Sequence, residues 1–120
     1  MARVWTRRML LAALTALAMA GTSACTSPTL PLPPPETPFI SSGSEPNTYR
    51  LSSVGGSEPN ALIIVVNRDE ELPPEKRVTG TIADTRGSWN LVVTARAGDV
   101  LDVSQESGTT RSPVTTVTVR

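Results

Sequence analysis

The chain has 120 residues, with 11 basic and 11 acidic side chains, one cysteine and no histidine. Without histidine the usual Ser-His and Cys-His nucleophile arrangements are impossible, and we expect no enzymatic activity. Three of the basic residues precede Cys25 and all of the acidic residues follow it, so the chain from Cys25 onward has a net charge of −3. This charge, without any basic cluster larger than Lys76-Arg77, argues against a nucleic-acid partner.

The first 24 residues have the layout of a secretory signal peptide. Arg3, Arg7 and Arg8 precede an uncharged run from Met9 to Ala20, after which small residues take over. The uncharged run has 12 residues, and a membrane-spanning helix needs roughly 20. We therefore expect residues 1–24 to direct export and to be removed.

The segment Thr22-Ser23-Ala24-Cys25 resembles the lipobox of bacterial lipoproteins, in which small residues precede the cysteine that receives lipid. The resemblance implies that Cys25 becomes the lipidated first residue of the mature protein, with palmitate or similar acyl chains in the membrane. The alternative is ordinary cleavage after Ala20 or Ala24, which produces a soluble secreted protein.

The lipobox resemblance also implies a location at the cell envelope, on the outer membrane or the periplasmic face, with the membrane itself as a partner. The export route stays open at this point. Residues 6–11, TRRMLL, resemble a twin-arginine signal, whereas paired arginines also occur in general secretory signals.

Residues 25–47 form a predicted linker. Six of the 13 residues from Thr26 to Pro38 are proline, which favours an extended polyproline II conformation. As a free spacer this stretch would hold the following domain roughly 40 Å from the lipid. Residues 39–47, FISSGSEPN, are predicted to continue as a loop. A second interpretation of the prolines is a ligand for an aromatic groove of another protein.

Residues 48–120 consist of short β-branched runs separated by turn residues, a pattern typical of an all-β sandwich with antiparallel neighbours. The predicted strands are residues 48–54, 61–67, 77–84, 89–95, 100–106 and 113–119. The run ALIIVV is apolar on both faces and predicts a central strand. The pentapeptide GSEPN occurs at 43–47 and 56–60, and its Pro-Asn pair predicts a turn into the next strand in each copy.

The alternation of apolar residues within the strands predicts the inward face of each sheet. The predicted core residues are Trp89, Leu91, Val93, Leu101, Val103, Val117 and Val119. Trp89 has a second interpretation as a ligand-stacking surface. Because Trp89 alternates in phase with Leu91 and Val93 along the strand, a position in the core is favoured.

Four blocks of this region together resemble the bacterial immunoglobulin-like domains over about residues 51–119. The blocks are GGSEPNALIIVVN, GTIADTRGSWNLVV, AGDVLDVS and RSPVTTVTV. The resemblance implies a noncatalytic immunoglobulin-like sandwich. The Ala-Asp and Gly-Ser-Trp section is also similar to the carboxypeptidase regulatory-like domains, which have a transthyretin-type sandwich, so the strand order stays open.

Acidic residues provide the remaining site candidates. The cluster of Asp69, Glu70, Glu71 and Glu75 could allow loose Ca²⁺ coordination in a loop, but it lacks the ordered spacing of an EF-hand, which favours a solvated loop without a metal. Asp99 and Asp102 are three residues apart, which points their side chains to opposite faces and does not make an acid–base pair. We expect no metal or other cofactor.

These resemblances imply a membrane-anchored envelope lipoprotein that presents a noncatalytic immunoglobulin-like domain to a protein or glycan. The alternatives are a purely structural envelope spacer without a specific ligand and a soluble secreted β-sandwich module. An exposed apolar patch favours a role in contacts. A uniformly polar surface with protected edges favours the spacer.

Overall fold

A computed structural model of the chain describes residues 30–120. The predicted signal peptide, residues 1–24, and the predicted lipidation residue Cys25 lie outside the described residues. The strands are β1 Phe39–Ser42, β2 Thr48–Ser53, β3 Leu62–Asn67, β4 Val78–Ile82, β5 Trp89–Thr94, β6 Val100–Ser107, β7 Thr110–Arg111 and β8 Thr115–Thr118. A four-residue helix, α1 Pro74–Arg77, precedes β4. Across residues 30–120, no helix has the length and apolar character needed to cross a membrane.

The strands form two antiparallel sheets. The smaller sheet has the order β1-β2-β5, and the larger sheet has the order β4-β3-β6-β7, with β8 also paired to β6. Every strand pair is antiparallel. The all-β fold expected from the sequence is therefore confirmed, and the six predicted strands correspond to β2, β3, β4, β5, β6 and β8.

Strand β3 lies between β4 and β6, which confirms the central position predicted for ALIIVV. Its two faces differ in burial. Ile63 and Val65 face the core and are buried, whereas Ile64 is half-buried and Leu62 is exposed on the outer face. An apolar run on both faces therefore marks a strand with neighbours on both edges, without requiring burial of both faces.

The hydrophobic core lies between the sheets and draws buried residues from both of them. Trp89 and Val93 are buried on β5, and Leu91 between them is partly buried against the same cluster. The other residues predicted for the core are all buried, namely Leu101, Val103, Val117 and Val119. Leu91 is paired in register with Leu51 of β2, which is fully buried.

Both copies of GSEPN form the predicted turn. The Pro-Asn pair lies in a turn each time, and Asn47 and Asn60 have φ values of 58° and 60°. Proline followed by a residue with positive φ is the arrangement of a type II turn, in which asparagine tolerates the left-handed conformation. In the second copy the Ala61 amide donates to the Glu58 carbonyl at 3.2 Å, which closes the turn before β3.

The structure differs from the sequence-based expectation between residues 39 and 47, which were predicted as loop. Phe39–Ser42 forms β1 and pairs with β2, from Phe39 opposite Ser52 to Ser42 opposite Tyr49. The segment FISS has weak strand propensity because of its two serines. Pairing with the longer strand β2 overrides that propensity, and the smaller sheet gains its third strand.

The proline-rich segment also differs from the expected free spacer, because residues 31–38 lie against the domain. Pro35 and Pro38 are buried and Leu32 is half-buried. Polyproline II has three residues per turn, so residues at this spacing share one side of the segment. The prolines that were expected to extend the linker instead contribute one apolar side to the domain.

Hydrogen bonds fix this segment in place. The Gln105 side-chain amide donates to the Pro33 carbonyl at 2.7 Å, and the Glu36 amide donates to the Gly56 carbonyl at 2.9 Å. The Thr115 hydroxyl donates to the Pro35 carbonyl. Proline lacks an amide donor but keeps its carbonyl acceptor, so the contacts made by its carbonyls come from donors on β6 and β8.

Residues 31–120 form one compact unit with two distinguishable ends. We call the end with residues 31–36, 54–60 and 83–88 the proximal end, because the N-terminal segment enters there. The opposite, distal end carries the loops of residues 43–47, 67–77 and 94–99. β1 begins at the proximal end and reaches the distal end at Ser42.

Replacing Trp89 with alanine is expected to destabilise the domain by about 3–5 kcal/mol, through lost transfer free energy and a residual cavity. The indole Nε1–H of Trp89 is buried and has no hydrogen-bond acceptor among the described residues. Trp89→Phe, which removes that donor and keeps an aromatic ring, should therefore cost much less than Trp89→Ala. Urea melts followed by circular dichroism measure both, and equal losses for the two variants would contradict the packing described here.

Replacing Gln105 with methionine is expected to loosen the proline-rich segment. The change removes the donor to Pro33 and the acceptor for the Glu58 amide, at a cost of about 1–3 kcal/mol. Amide hydrogen exchange at Glu36 should accelerate in this variant, because that amide depends on the docked segment. The matched control is the exposed Thr116→Val, and unchanged exchange at Glu36 in Gln105→Met would show that Gln105 does not hold the segment.

Candidate functional site

The distal loops meet around one buried side chain. Asn67, at the end of β3, is 2% exposed. Its amide nitrogen donates to the Thr94 carbonyl at 3.1 Å and to Asp99 Oδ2 at 3.0 Å, and its oxygen accepts from the Asp69 amide at 2.9 Å. Asp99 Oδ2 also accepts from the Arg96 amide at 2.9 Å. Asn67 therefore joins the loop of residues 67–77 to the loop of residues 94–99.

Arg96 forms the principal ion-pair cluster of this end. Its Nη2 lies 2.8 Å from Asp69 Oδ2 and 2.9 Å from Glu71 Oε2. The hydrogen bond from Arg96, followed by that from the Glu71 amide, holds the pKa of Asp69 below its usual value. The same two carboxylates raise the pKa of Arg96. Glu71 is largely exposed, so its share of the pairing is weak and sensitive to salt.

A second ion pair lies beside the first. Arg68 donates two hydrogen bonds of 2.8 Å to the two carboxylate oxygens of Asp102, and the Thr116 hydroxyl donates to Asp102 Oδ1 at 3.0 Å. The Arg68 hydrogen bond is the main cause of the lowered pKa of Asp102. Asp99 and Asp102 thus bind different partners and do not form an acid–base pair.

Two adjoining depressions flank Arg96 and Glu71. The first has a volume of about 590 Å³ and the second about 460 Å³. The first is lined by Arg68, Asp69, Glu71 and residues 96–100. The second is lined by residues 45–48, 71–73 and 94–96 together with Lys76. Both are open, and Arg96 and Glu71 form the wall that they share.

The acidic cluster predicted from the sequence is divided by the fold. Asp69 and Glu71 bind Arg96, whereas Glu70 and Glu75 are exposed. Within residues 30–120 no group of three or more histidine, cysteine, aspartate or glutamate side chains is placed to hold a metal ion. A guanidinium group occupies the position between the two carboxylates.

This arrangement is suited to recognition by hydrogen bonds and charge. A guanidinium fixed by two carboxylates presents its remaining N–H groups in a set direction, which loses little side-chain entropy on binding. The neighbouring loops add backbone groups and further charges of both signs. A polar surface of this kind fits a hydroxyl-rich or peptide ligand better than an apolar one.

The Ala-Asp and Gly-Ser-Trp section forms a turn at the proximal end. Asp84 Oδ1 accepts from the amides of Arg86 and Ser88, both at 2.9 Å, and these bonds lower the Asp84 pKa. Gly87 has φ 77°, and a Cβ atom there would lie 2.1 Å from the Ser57 carbonyl oxygen. The motif is therefore explained by turn geometry and close backbone approach, and Trp89 after it enters the core.

Sequence reasoning did not identify Asn67, Arg96 or Gln105. Two of them carried a signal, because Asn67 continues the inward phase of Ile63 and Val65, and Gln105 continues that of Val103. A polar residue at an inward position of a strand must find partners. Arg96 lies in a loop and its sequence neighbours give no comparable signal.

Comparisons with protein-family models, with curated proteins and with solved structures find no match to this chain.

Replacing Arg96 with glutamine is expected to raise the pKa of Asp69 toward its usual value. In the folded protein this pKa is lowered, so the pairing contributes stability above the unfolded pKa of about 4 and loses it as the pH falls through the folded value. NMR titration of the carboxyl groups measures the change. Asp102, paired with Arg68, is the internal control, and an unaltered Asp69 titration in Arg96→Gln would contradict the assigned pairing.

Proposed function

We propose that this protein is an envelope lipoprotein, anchored by lipid on Cys25, whose noncatalytic immunoglobulin-like domain contacts a protein or glycan through its distal end. The observation that carries the proposal is that the N-terminal segment and the candidate site lie at opposite ends of the domain. The N-terminal segment enters at the proximal end, where Gln105 holds Pro33. The distal loops and their two depressions consequently lie at the end away from the proposed anchor.

The strand order supports the immunoglobulin-like part of the proposal. Named in immunoglobulin fashion, β1, β2 and β5 correspond to strands A, B and E, and β3, β6 and β8 correspond to C, F and G. The fourth strand, β4, pairs with β3 and joins the C-F-G sheet, as a C′ strand does. Connections pass between the sheets from β2 to β3 and from β5 to β6, as in that architecture.

The structure of the distal end favours a contact role over that of a spacer. A spacer needs only a stable body with a solvated surface, whereas here a buried Asn67 and a doubly paired Arg96 join two loops to each other. Binding loops held by a rigid scaffold are the usual location of recognition sites. Fold alone does not define a partner, so the proposal rests on this end of the domain.

Replacing Cys25 with serine is expected to abolish both lipid incorporation and membrane partitioning. Acyl chains supply about 0.8 kcal/mol per buried methylene group, and two or more chains make attachment effectively permanent. Metabolic labelling with palmitate and detergent phase partitioning of the full chain measure the two effects. The chain has only one cysteine, so label retained in Cys25→Ser would show that the lipid lies elsewhere.

The contact role is tested by photo-crosslinking in intact envelopes. A photoreactive residue at Ala97, on the wall of the larger depression, should yield a discrete product that Arg96→Gln weakens. The same residue at Val92, exposed on the outer face of β5, is the control. Equal products from both positions, or none from Ala97, would favour the spacer.

A further inference from the structure

We propose that the proximal end of the domain docks onto a lipid bilayer, with a ring of exposed apolar side chains in the headgroup region. The proposal rests on the proposed lipid anchor for the presence of a membrane at this end. The evidence for the docking surface itself lies within residues 31–120.

Exposed apolar side chains are concentrated at the proximal ends of the strands. Residues 31–120 expose seven large hydrophobic side chains, and five of them lie within one residue of a proximal strand end. These five, which we call the apolar rim, are Phe39, Val54, Leu62, Ile82 and Val114. Their exposed fractions run from 38% for Leu62 to 86% for Val54. The other two are Val78, at the distal start of β4, and Val92, within β5.

Each member of the rim comes from a different strand end. Phe39 begins β1 and Leu62 begins β3, whereas Ile82 ends β4. Val54 directly follows β2, and Val114 directly precedes β8. Residues that are distant in sequence therefore lie toward the same end of the sandwich. Single exposed hydrophobic residues are ordinary on protein surfaces, and the proposal rests on the concentration of five of them toward one end.

Charged residues show the opposite distribution. Seven of the eleven residues in the distal loop 67–77 are charged, whereas the 19 residues of the proximal segments 31–36, 54–60 and 83–88 include four charged residues, Glu36, Glu58, Asp84 and Arg86. The domain is therefore polarised along its long axis, from an apolar rim to a charged distal end. Amphipathic helices at membrane surfaces have a comparable separation, with an apolar face buried about 5–10 Å into the boundary of headgroups and acyl chains.

The length of chain before the domain identifies the lipid surface as the occupant. Pro31 is the first residue of the compact unit, and Cys25 precedes it by six positions. A fully extended chain spans at most about 3.5 Å per residue, so the acyl-bearing cysteine lies within about 20 Å of Pro31. Residues 31–36 lie at the proximal end, so the chain from the proposed acyl-bearing cysteine joins the domain on the side of the rim.

Tethering compensates for the modest size of the rim. Once the anchor is in the bilayer, contact between rim and lipid is intramolecular and takes place at high effective concentration. The exposed charges near the rim include Arg86 and Arg111 on the positive side and Glu36, Glu58 and Asp84 on the negative side, so they provide no excess of positive charge. We therefore expect docking to depend on apolar contact and to be insensitive to anionic lipid.

Tryptophan quenching tests the docking. Full-length variants Val54→Trp, Val92→Trp and Val78→Trp are placed in phosphatidylcholine vesicles whose lipids are brominated on the upper acyl-chain carbons. The emission of the unsubstituted protein is subtracted to remove the native tryptophans. We expect quenching of the residue introduced at position 54 to exceed that at positions 78 and 92 at least twofold, with or without added phosphatidylglycerol.

The outcomes separate this proposal from the lipid anchor. Equal quenching at the three positions, or none at position 54 in vesicle-bound protein, would overturn the docking while leaving the anchor intact. Whether the proposed anchor is present is measured separately, by the incorporation of palmitate. Selective quenching at position 54 supports docking whichever group holds the protein on the vesicle. Val54→Glu provides the complementary change and should at least halve the quenching of a Phe39→Trp reporter, whereas Val92→Glu should not.

Discussion

The buried side-chain amide of Asn67 is the interaction on which the distal end depends. It lies inside a β core where unpaired polar groups cost about 1–3 kcal/mol each, and its partners come from two different loops. The Thr94 carbonyl and the Asp99 carboxylate must therefore stay within reach of one nitrogen. Arg96 is fixed as a consequence, because its own amide binds the same Asp99 oxygen and its guanidinium reaches Asp69.

Gln105 has the equivalent role at the proximal end. It is 1% exposed and satisfies its amide with Pro33 on one side and the Glu58 amide on the other. A strand of the larger sheet thereby holds a segment that has little capacity to pair by itself, since its prolines lack amide donors. The two inward amides thus connect both ends of the sandwich to chain segments outside the sheets.

The sequence predicted the strands well because alternation and turn residues are local signals. ALIIVV and the two Pro-Asn turns each specify their structure within a few residues. β1 and the docking of residues 31–38 depend instead on partners far along the chain, such as Ser52 for Phe39 and Gln105 for Pro33. The distal ion-pair cluster could not be predicted from the sequence either, because Arg96 and Asp69 pair only when the fold brings their loops together.

The docked prolines shorten the part of the N-terminal region that can act as a spacer between Cys25 and the domain. Composition alone describes a spacer of roughly 40 Å, yet the buried Pro35 and Pro38 belong to the domain, and only the residues before Pro31 remain to span the distance from Cys25. A chain this short limits how far the proximal end can move from an anchor at Cys25. An anchored domain would therefore have one end directed toward the lipid, and that end carries the apolar rim, while Arg96 and its loops lie a full strand length away. If Cys25 carries the proposed anchor, the proline-rich segment that folds onto the domain therefore leaves the proposed contact site at the end away from the lipid.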